Sequence, residues 1–437
     1  MLRRWLGRVG FACASGSLLA WGVRTGLHTL TLRVEVLFVG LVVVLLQAVV
    51  TSLSFTTALG ASGLLFLFGW ATDRLGPPPI DDAAGTVTAV VPVYRDADAL
   101  DVSVRSLRRS RYPDLQVRIV CEPGDTASLR RARELATAPG VDWLVNTTVP
   151  GSKAGAISHA ASNTDGRYLA VFDADESVHP QFVSRAVARL ARGADVVQGR
   201  TVPRPTGLVE TLAYAESVLL SYVARRGVYA LTDFRMAASR AVVMERDAFE
   251  AVGGYDSTML TEDVEFAYRC YRHGLDVREV LASPSTIEAA HGWRDWWGQR
   301  KRWMRGYVQV LETLLRRVRP LTRYRNSVSV LLCLGTVLGA VLTPTLLAKF
   351  AVLLLVGAER WALLPLVTVL LVVATVHAVD RRLGVVEDTT GYWLVVSAVV
   401  PLYGFAAIKS VAECLSGDHR GWYRVSKHGD TSGRNER

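Results

Sequence analysis

Three short segments of the sequence carry residue types that could do chemistry. The first is Phe172-Asp173-Ala174-Asp175, which follows the apolar run Tyr168-Leu169-Ala170-Val171. Carboxylates just beyond a buried strand can supply oxygen ligands to a hard divalent cation while leaving sites for phosphate oxygens and water. Aspartate also begins many capped helices. The segment alone therefore leaves metal binding and helix capping as alternatives.

The second segment is Thr261-Glu262-Asp263, ahead of an amphipathic stretch that runs to His273. A carboxylate at such a point can take the proton of a hydroxyl nucleophile during an in-line displacement, which needs one general base and no covalent intermediate. Asp263 is the candidate base, and Glu262 stands beside it. N-capping of the following helix is an equally physical role for these residues, and both roles can hold at once.

The third segment is Gln299-Arg300-Lys301-Arg302-Trp303. Gln299, Arg302 and Trp303 stand at positions i, i+3 and i+4, which lie on one face of a helix. Such a face offers an amide, a guanidinium that can bind a diphosphate, and an indole on which a sugar can stack. Membrane anchoring is the alternative for a basic helix at an interface, and the tryptophans between Trp293 and Trp297 fit that role in part.

Half of the 437 residues are hydrophobic, a share that predicts insertion into a membrane. The charge-free run from Val36 to Thr72 would be nearly twice as long, as a helix, as the roughly 30 Å hydrocarbon core. It is therefore predicted to be a hairpin of two spans that turns between residues 52 and 62. Three further spans are predicted at Ser327–Ala348, Trp361–Val379 and Thr389–Ile408. A break near Pro344 would add a fourth, so three or four C-terminal spans remain open.

The net charge of +10 comes largely from arginines that flank the apolar stretches. This placement fits cytoplasmic flanks and anionic lipid headgroups, so membrane lipids are predicted partners and nucleic acid is not. The positive-inside rule puts the arginine-rich N-terminus in the cytoplasm, and a hairpin would return the chain there. The central domain is therefore predicted to be cytoplasmic, in an integral protein of the plasma membrane. The five dispersed cysteines predict neither a disulfide framework nor a zinc site.

Between Pro77 and Arg325 short β-rich runs alternate with longer amphipathic ones, a pattern that predicts a doubly wound α/β sheet. The predicted strands are Thr86–Tyr94, Gln116–Glu122, Asp142–Asn146 and Tyr168–Asp173. The predicted helices are Ala97–Arg109, Thr126–Ala136, Ala154–Ala161 and Gln181–Arg192. Sheets of this class bind ligands at the carboxyl ends of their strands, where the first chemical segment lies.

The order and spacing of these segments resemble the processive family-2 glycosyltransferases, which include cellulose, hyaluronan and chitin synthases. The resemblance covers roughly residues 86 to 310. It implies an α/β fold, in which a GT-A (Rossmann-like) cytoplasmic glycosyltransferase domain is inserted between α-helical transmembrane segments. The implied organisation is an N-terminal interfacial segment and transmembrane hairpin (1–76), the GT-A domain with interfacial helices (77–325), C-terminal transmembrane helices (326–409) and a cytoplasmic tail (410–437).

The resemblance also implies roles for residues at the strand ends. Asp175 would hold Mg²⁺ or Mn²⁺, while Asp173 would share the metal or lie nearer the ribose. Lys153 would reach the diphosphate, and Tyr94 would lie beside the uracil. Glu122 would contact the base, although Glu122-Pro123-Gly124-Asp125 departs from the family pattern, and Asp125 or an ordinary polar loop is the alternative.

Further motifs place the acceptor side of the site. Asp263 would be the catalytic base with Glu262 beside it, and Gln299, Arg302 and Trp303 would bind the diphosphate and stack on the acceptor. The segment Phe234–Ser239 stands where relatives have a glycine-containing acceptor segment, but it lacks the glycine. Residues 422–427 resemble a gating element that covers bound nucleotide.

These residues predict an inverting membrane hexosyltransferase (EC 2.4) that moves a sugar from a nucleotide-sugar, a UDP-sugar by resemblance, to a growing polysaccharide, with product translocation. Transfer of a single sugar to a lipid acceptor is the alternative. A non-enzymatic alternative is a membrane transporter or receptor whose α/β domain senses a nucleotide. Asp263 beside the acceptor motif argues against sensing alone. Oligomeric state is left unpredicted.

Overall fold

The structure is a computed structural model that describes residues 34–76, 85–318, 320–387, 396–417 and 423. Its centre is a seven-stranded sheet in the order β3-β2-β1-β4-β6-β5-β7. The strands are β1 (Val87–Val93), β2 (Leu115–Cys121), β3 (Val141–Val145), β4 (Tyr168–Val171), β5 (Val196–Pro203), β6 (Val242–Glu245) and β7 (Val277–Ile287). The strands β1 to β4 are mutually parallel, whereas β6 runs antiparallel to both of its neighbours.

The helices of the domain are α2 (Leu100–Leu107), α3 (Thr126–Leu135), α4 (Lys153–Ser162), α5 (Phe182–Leu190), α6 (Leu208–Glu216), α7 (Ala224–Thr232), α8 (Arg246–Val252), α9 (Glu262–His273) and α10 (Trp293–Arg317). A π-helical turn, Ser217–Val223, joins α6 to α7. One hydrophobic core lies between the sheet and α4, α8 and α9, and a second lies under α2 and α5 on the opposite face. The predicted α/β sheet is therefore confirmed.

Four helices among the described residues are long and apolar enough to cross a membrane. They are α1 (Val34–Arg74), α11 (Tyr324–Leu355), α12 (Glu359–Arg382) and α13 (Val399–Leu415). The helix α11 continues through Pro344, so the C-terminal region has three such helices rather than four. Threonine hydroxyls beside the proline bond to nearby backbone carbonyls, as expected where a proline interrupts a membrane helix.

The predicted N-terminal hairpin is wrong, because α1 is one continuous helix without a turn between residues 52 and 62. The run extends beyond the length of one span, and one face of its last turns packs against the α/β domain while Leu64 and Phe68 on the other face are exposed. Phe66 is fully buried and lies under the guanidinium of Arg200. Gly69 packs against Leu281 of β7. A charge-free run does not distinguish these two environments.

Acidic residues at the domain-side ends of three membrane helices bond to the α/β domain. Asp73 of α1 pairs with Arg189 and accepts hydrogen bonds from two backbone nitrogens of β7 at 2.9 and 2.7 Å. Asp380 of α12 forms a two-pronged ion pair with Arg200 of β5, at 2.5 and 2.6 Å. Glu413 of α13 pairs with Lys301 of α10 at 2.6 Å.

The pair of Asp380 and Arg200 is fully buried, and the hydroxyl of Tyr214 donates a further hydrogen bond to Asp380 at 2.7 Å. Removing one partner of a buried pair leaves an uncompensated charge. The pair therefore fixes α12 against β5, the strand next to the edge of the sheet.

We predict that Asp380→Asn lowers the free energy of unfolding by about 3–5 kcal/mol, because it strands the buried Arg200 guanidinium. The measurement is thermal unfolding of the purified protein in a neutral detergent. Glu312→Gln is the control, since it breaks an exposed pair with Arg316 and should cost less than about 1 kcal/mol. The double variant Arg200→Met/Asp380→Leu should be milder than Asp380→Asn. Equal destabilisation by Asp380→Asn and Glu312→Gln would contradict the anchoring role.

Candidate active site

The start of α4, which follows β3, and the carboxyl end of β4 bring a lysine and an aspartate into contact. Lys153 is the first residue of α4, and its Nζ lies 2.5 Å from Oδ1 of Asp173. Ser152 caps α4 through the backbone N–H of Gly155, 3.2 Å away. A Cβ on Gly155 would lie 2.4 Å from the carbonyl oxygen of Val149, so glycine is needed for this close approach. The capped helix therefore presents Lys153 to the strand end.

Two arginines from distant parts of the chain complete the cationic side of the site. Arg240 lies 3.9 Å from Oδ2 of Asp173. Burial opposes its charge, yet Asp173 and Asp263 raise the pKa of Arg240. Arg302 of α10 faces the same carboxylates: burial lowers its pKa, and Glu262, Asp263 and Asp173 act against that effect. Three cations therefore surround a group of carboxylates.

The N-terminus of α9 supplies two of these carboxylates. Glu262 and Asp263 are its first residues, and both are half-buried. The hydroxyl of Ser239 donates to Glu262 at 2.9 Å. Burial and the neighbouring Asp263 raise the pKa of Glu262, while Lys153 opposes the rise. Burial would also lower the pKa of Lys153, but Asp173 and Glu262 raise it above its ordinary value. The Thr-Glu-Asp segment thus meets the strand-end segment in space.

Close packing of α10 holds Arg302 against this segment. Gly306 stands one helical turn beyond Arg302, and a Cβ there would lie 2.3 Å from Cγ2 of Thr261. Another turn on, Oε1 of Gln309 accepts from the backbone nitrogen of Leu260 at 2.9 Å, and Nε2 donates to the carbonyl of Thr258 at 2.8 Å. Arg302, Gly306 and Gln309 lie on one face of α10. Their contacts therefore fix the position of α10 along its axis relative to the start of α9.

The Gln-x-x-Arg-Trp segment lies on α10, as predicted. Oε1 of Gln299 accepts from Arg300 at 2.7 Å. Arg300 is buried and paired with Glu216 at 2.7 Å, and its guanidinium lies 4.9 Å from the ring centroid of Trp303. Trp303 is half-buried. Arg300, which lies between the predicted residues, therefore orients both Gln299 and the indole.

Asp175 is buried, and its Oδ2 accepts a hydrogen bond from the backbone nitrogen of Glu288 at 3.1 Å. Glu288 and Glu210 hold the ring of His291 between them, each at 2.7 Å. Burial would lower the pKa of His291, but the two carboxylates raise it.

The metal prediction rests on the donor chemistry of Asp175. Among the described residues, no three His, Cys, Asp or Glu side chains are arranged to hold a metal by themselves. Mg²⁺ commonly binds through one or two carboxylates plus phosphates of a ligand, without an all-protein cage. A buried carboxylate beside the strand end fits that mode. Asp173 is a weaker candidate metal ligand than Asp175, because its Oδ1 is already paired with Lys153.

The residues predicted at the base of a nucleotide lie at the ends of β1 and β2. Tyr94 is exposed, and the guanidinium of Arg95 lies 5.0 Å from its ring centroid. Asp125 caps α3 and accepts from the backbone nitrogen of Arg95 at 2.5 Å. Glu122 is buried: Asn146 donates to Oε1 at 2.8 Å, and the nitrogen of Gly151 donates to Oε2 at 2.5 Å. Glu122 therefore braces the loop that leads to Lys153.

Of the predicted gating element, residues 422 and 424–427 lie outside the described residues. The ring of Tyr423 lies on α10, where a Cβ on Gly298 would come within 2.5 Å of it. Its hydroxyl donates to Asp295 at 2.7 Å. In the predicted acceptor segment, the carbonyl of Ala238 accepts from Tyr255 at 2.9 Å. That segment therefore lies against the glycine-tyrosine turn ahead of α9.

Sequence reasoning missed several residues that build the site. Arg240 follows the acceptor segment directly, but no spacing rule connects it to Asp173. Gly306 could have been found as a glycine one turn after Arg302 on a helix otherwise rich in large side chains. His291 stands three residues after Glu288, a spacing that signals contact only once a turn is known.

Comparisons with known proteins give a consistent result. Residues 168–377 match the family described as "Glycosyl transferase family group 2". The probable glycosyltransferase YdaM of Bacillus subtilis (strain 168) is 23% identical over 249 residues, which are 55% of this chain and 59% of that protein. Cellulose synthase 1 of Komagataeibacter xylinus is 26% identical over 250 residues, 53% of this chain and 15% of that protein.

A third relative, the beta-monoglucosyldiacylglycerol synthase of Synechocystis sp., is 26% identical over 164 residues, 36% of this chain and 34% of that protein. The chain thus spans less than two thirds of the length of each of these relatives. Among solved structures, the mannosyltransferase PcManGT from Pyrobaculum calidifontis, in complex with GDP-Man and Mn²⁺, superposes with a TM-score of 0.52 at 18% identity. The match covers 83% of this chain and 99% of that one.

This structural likeness identifies the fold as GT-A, with apolar helices flanking the α/β domain. Residues 168–377 thus match a family-2 glycosyltransferase domain, and about half of the chain is similar in sequence to cellulose synthases.

Proposed function

We propose that the protein is an inverting membrane glycosyltransferase that moves a sugar from a nucleotide-sugar to a growing polysaccharide. The observation that carries this proposal is the meeting of Asp263, Asp173 and the cations Lys153, Arg240 and Arg302 at one site. A sensor of nucleotides would need the cations alone. A carboxylate beside them supplies the group that an acceptor hydroxyl requires.

The cations bind and stabilise the leaving diphosphate in this proposal. As the bond from the sugar to the diphosphate breaks, negative charge grows on the phosphate oxygens. Lys153, Arg240 and Arg302 are held in place by their carboxylates before the reaction, so their charge is oriented without reorganisation. Electrostatic stabilisation of this kind is commonly the largest single contribution to catalysis.

Asp263 accepts the proton of the attacking hydroxyl. The hydroxyl oxygen forms the new bond to the sugar on the face opposite the diphosphate, which inverts the configuration and needs no covalent intermediate. Glu262 has a raised pKa and is held by Ser239, so we assign it to positioning rather than to proton transfer. Trp303, half-buried beside Arg302, offers a flat apolar surface for the acceptor sugar.

A divalent cation, Mg²⁺ or Mn²⁺, would be held by Asp175, with Asp173 as the second carboxylate of the segment. It would supply positive charge to the diphosphate. The Mn²⁺ in the mannosyltransferase of the same fold supports this assignment. In the chain itself, the backbone nitrogen of Glu288 orients the Asp175 carboxylate.

The acceptor class has two candidates. Relationship to cellulose synthases and the membrane helices packed along α10 favour a polysaccharide that passes through the membrane. Relationship to the beta-monoglucosyldiacylglycerol synthase favours a single transfer to a lipid. We propose the polysaccharide as the acceptor and retain the lipid as the alternative.

The domain and the tail are proposed to share the cytoplasmic side of the plasma membrane. Because α1 is a single helix, a cytoplasmic N-terminus can no longer be used to place the domain. The basic residues at the domain-side ends of the helices support the same side instead. These residues are Arg74, Arg316, Arg317, Arg323, Arg325, Arg381 and Arg382. Glu413 and Tyr423 both bond to α10, which supports a tail on the domain side. Because α12 also ends at the domain, α13 in this proposal enters and leaves on that side and does not complete a third crossing.

The test of the proposal is incubation of the purified protein with a panel of radiolabelled nucleotide-sugars. Retained polymer is the expected product, lipid-soluble label would favour the lipid alternative, and binding without turnover would favour a sensor.

We predict that EDTA abolishes transfer and that Mg²⁺ or Mn²⁺ restores it, because the diphosphate needs a cation held by Asp175. Asp175→Asn should weaken metal-dependent donor binding, measured by calorimetry with and without the ion. Asp142→Asn is the control, since Asp142 is exposed on β3. Full transfer by EDTA-treated protein would contradict the metal role.

We predict that Asp263→Asn lowers turnover by the roughly 10²–10⁴-fold typical of a lost general base. Donor affinity should survive, because Lys153, Asp173 and Asp175 are unchanged. Trp303→Ala should instead raise the acceptor concentration needed for half-maximal rate. Calorimetry of nucleotide binding beside turnover separates these effects. Normal turnover of Asp263→Asn would refute the base, and lost nucleotide affinity would assign Asp263 to the donor site or the fold.

We predict that Gly306→Ala lowers turnover, because the added Cβ would meet Thr261 at 2.3 Å and push α10 away from α9. Gly335→Ala is a matched control: this glycine also lies within a helix, and nothing lies within 4 Å of its Cβ position. The control should keep full activity and unfold at the same or a higher temperature. Equal activity of both variants would show that the spacing of α10 does not matter.

A further inference from the structure

A basic cavity lies where α9, α10 and α11 meet, outside the proposed active site. Its volume is about 300 Å³. It is lined by Arg272 and His273 from the end of α9, Arg317 and Val318 from the end of α10, and Arg323 and Asn326 from the start of α11. Three arginines therefore converge on one hollow that nothing in the proposed reaction uses.

The cavity is remote from the catalytic groups. Arg272 stands ten residues after Glu262 on α9, which is about 15 Å along the helix. Arg317 stands fifteen residues after Arg302 on α10, which is about 22 Å. The cavity is therefore separated from Glu262 and Arg302 by most of the length of α9 and by more than half of α10.

The positive charge of the cavity is only partly compensated. Among the residues that the structure describes, no carboxylate forms an ion pair with Arg272, Arg317 or Arg323. The nearby Glu265 is already paired with Arg269 at 2.7 Å. Burial lowers the pKa of Arg272, Glu265 opposes that effect, and Arg269 adds to it. An anion in the cavity would neutralise the three converging arginines.

Hydrogen bonds outside the cavity hold together the three helices that line it. Arg325 donates to the carbonyl of Tyr271 at 2.7 Å and lies over that ring, so α11 is fixed to the end of α9. Asn326 donates to the carbonyl of Pro320 at 3.0 Å, which fixes the connection between α10 and α11. The cavity also opens beside the N-terminus of α11, where backbone N–H groups favour an anion.

Two observations place the cavity at a lipid surface. Tyr324 and Leu321 stand beside it with 62% and 43% of their surfaces exposed, at the start of a membrane helix where aromatic side chains lie among headgroups. A second cavity of about 140 Å³ shares Arg272, Arg317 and Val318 with the first. Its other walls are the apolar side chains Tyr268, Val310 and Leu314, together with Thr313 and the ion pair of Glu265 and Arg269. Apolar surface beside the arginines suits an amphiphile.

We propose that this cavity binds the phosphate headgroup of an anionic phospholipid from the leaflet next to the catalytic domain. The arginines neutralise the phosphate, and Tyr324 and Leu321 lie among the neighbouring headgroups. The lipid joins the C-terminal ends of α9, whose other end carries Asp263, and of α10, which carries Arg302 near its middle.

The test uses the full chain in a neutral detergent and phosphatidylglycerol with a fluorescent acyl chain, followed by anisotropy. Arg317→Gln should weaken binding roughly fivefold, since one arginine near a lipid surface contributes about 1 kcal/mol. Arg316→Gln is the matched control, because Arg316 is adjacent and equally charged but exposed and paired with Glu312. It should bind as the unchanged protein does. Arg323→Gln, at an exposed position, should repeat the effect of Arg317→Gln.

Phosphatidylcholine with the same label should bind more weakly than phosphatidylglycerol, and millimolar inorganic phosphate should not displace the lipid. Displacement by phosphate would assign the cavity to a free phosphate instead. Equal losses in Arg316→Gln and Arg317→Gln, or equal affinity for both lipids, would overturn the proposal. Donor-sugar turnover is not part of this readout, so failure of the lipid site and failure of the proposed transferase can be told apart.

Discussion

A carboxylate at the end of a membrane helix is stable where a cation neutralises it, and in this protein the neutralising cations belong to the catalytic domain. Asp73, Asp380 and Glu413 each hold one membrane helix to that domain. Because an unpaired buried charge costs several kcal/mol, these contacts also fix the orientation of the domain. The start of α9 therefore stays beside α10, and α10 stays beside α13. The active site is attached to the membrane helices by charge rather than by a flexible tether.

Within the proposed active site, carboxylates and cations also neutralise each other. Lys153, Arg240 and Arg302 are each opposed by carboxylates, and each is partly or fully buried. Such a group is oriented before any ligand arrives, which is the condition for strong electrostatic stabilisation of a developing charge. Gly155 and Gly306 allow these charged groups to lie close together, because each lets a helix approach a neighbouring segment more closely than a side chain would permit.

The parts of the structure that sequence could predict are those written in local patterns. The strand that ends at Val171, just before Asp173, is visible as a short apolar run, and the helix that begins at Glu262 is visible as an amphipathic stretch. The approach of Arg240 to Asp173 was not visible, because 67 residues and a change of strand direction separate them. The helix α1 was misread for a related reason: absence of charge reports burial, and burial in protein resembles burial in lipid.

The length of α1 has a mechanical consequence. From Val42 to Arg74 it comprises 33 apolar-rich residues, about 50 Å of helix, against a hydrocarbon core of roughly 30 Å. Bilayers of different thickness are accommodated by helix tilt. Asp73 accepts hydrogen bonds from two backbone nitrogens of β7, so the end of α1 is fixed to that strand at any tilt of the helix. The same strand ends just before Glu288, which orients Asp175. One strand thus connects the end of a membrane helix to the carboxylate proposed to hold the metal.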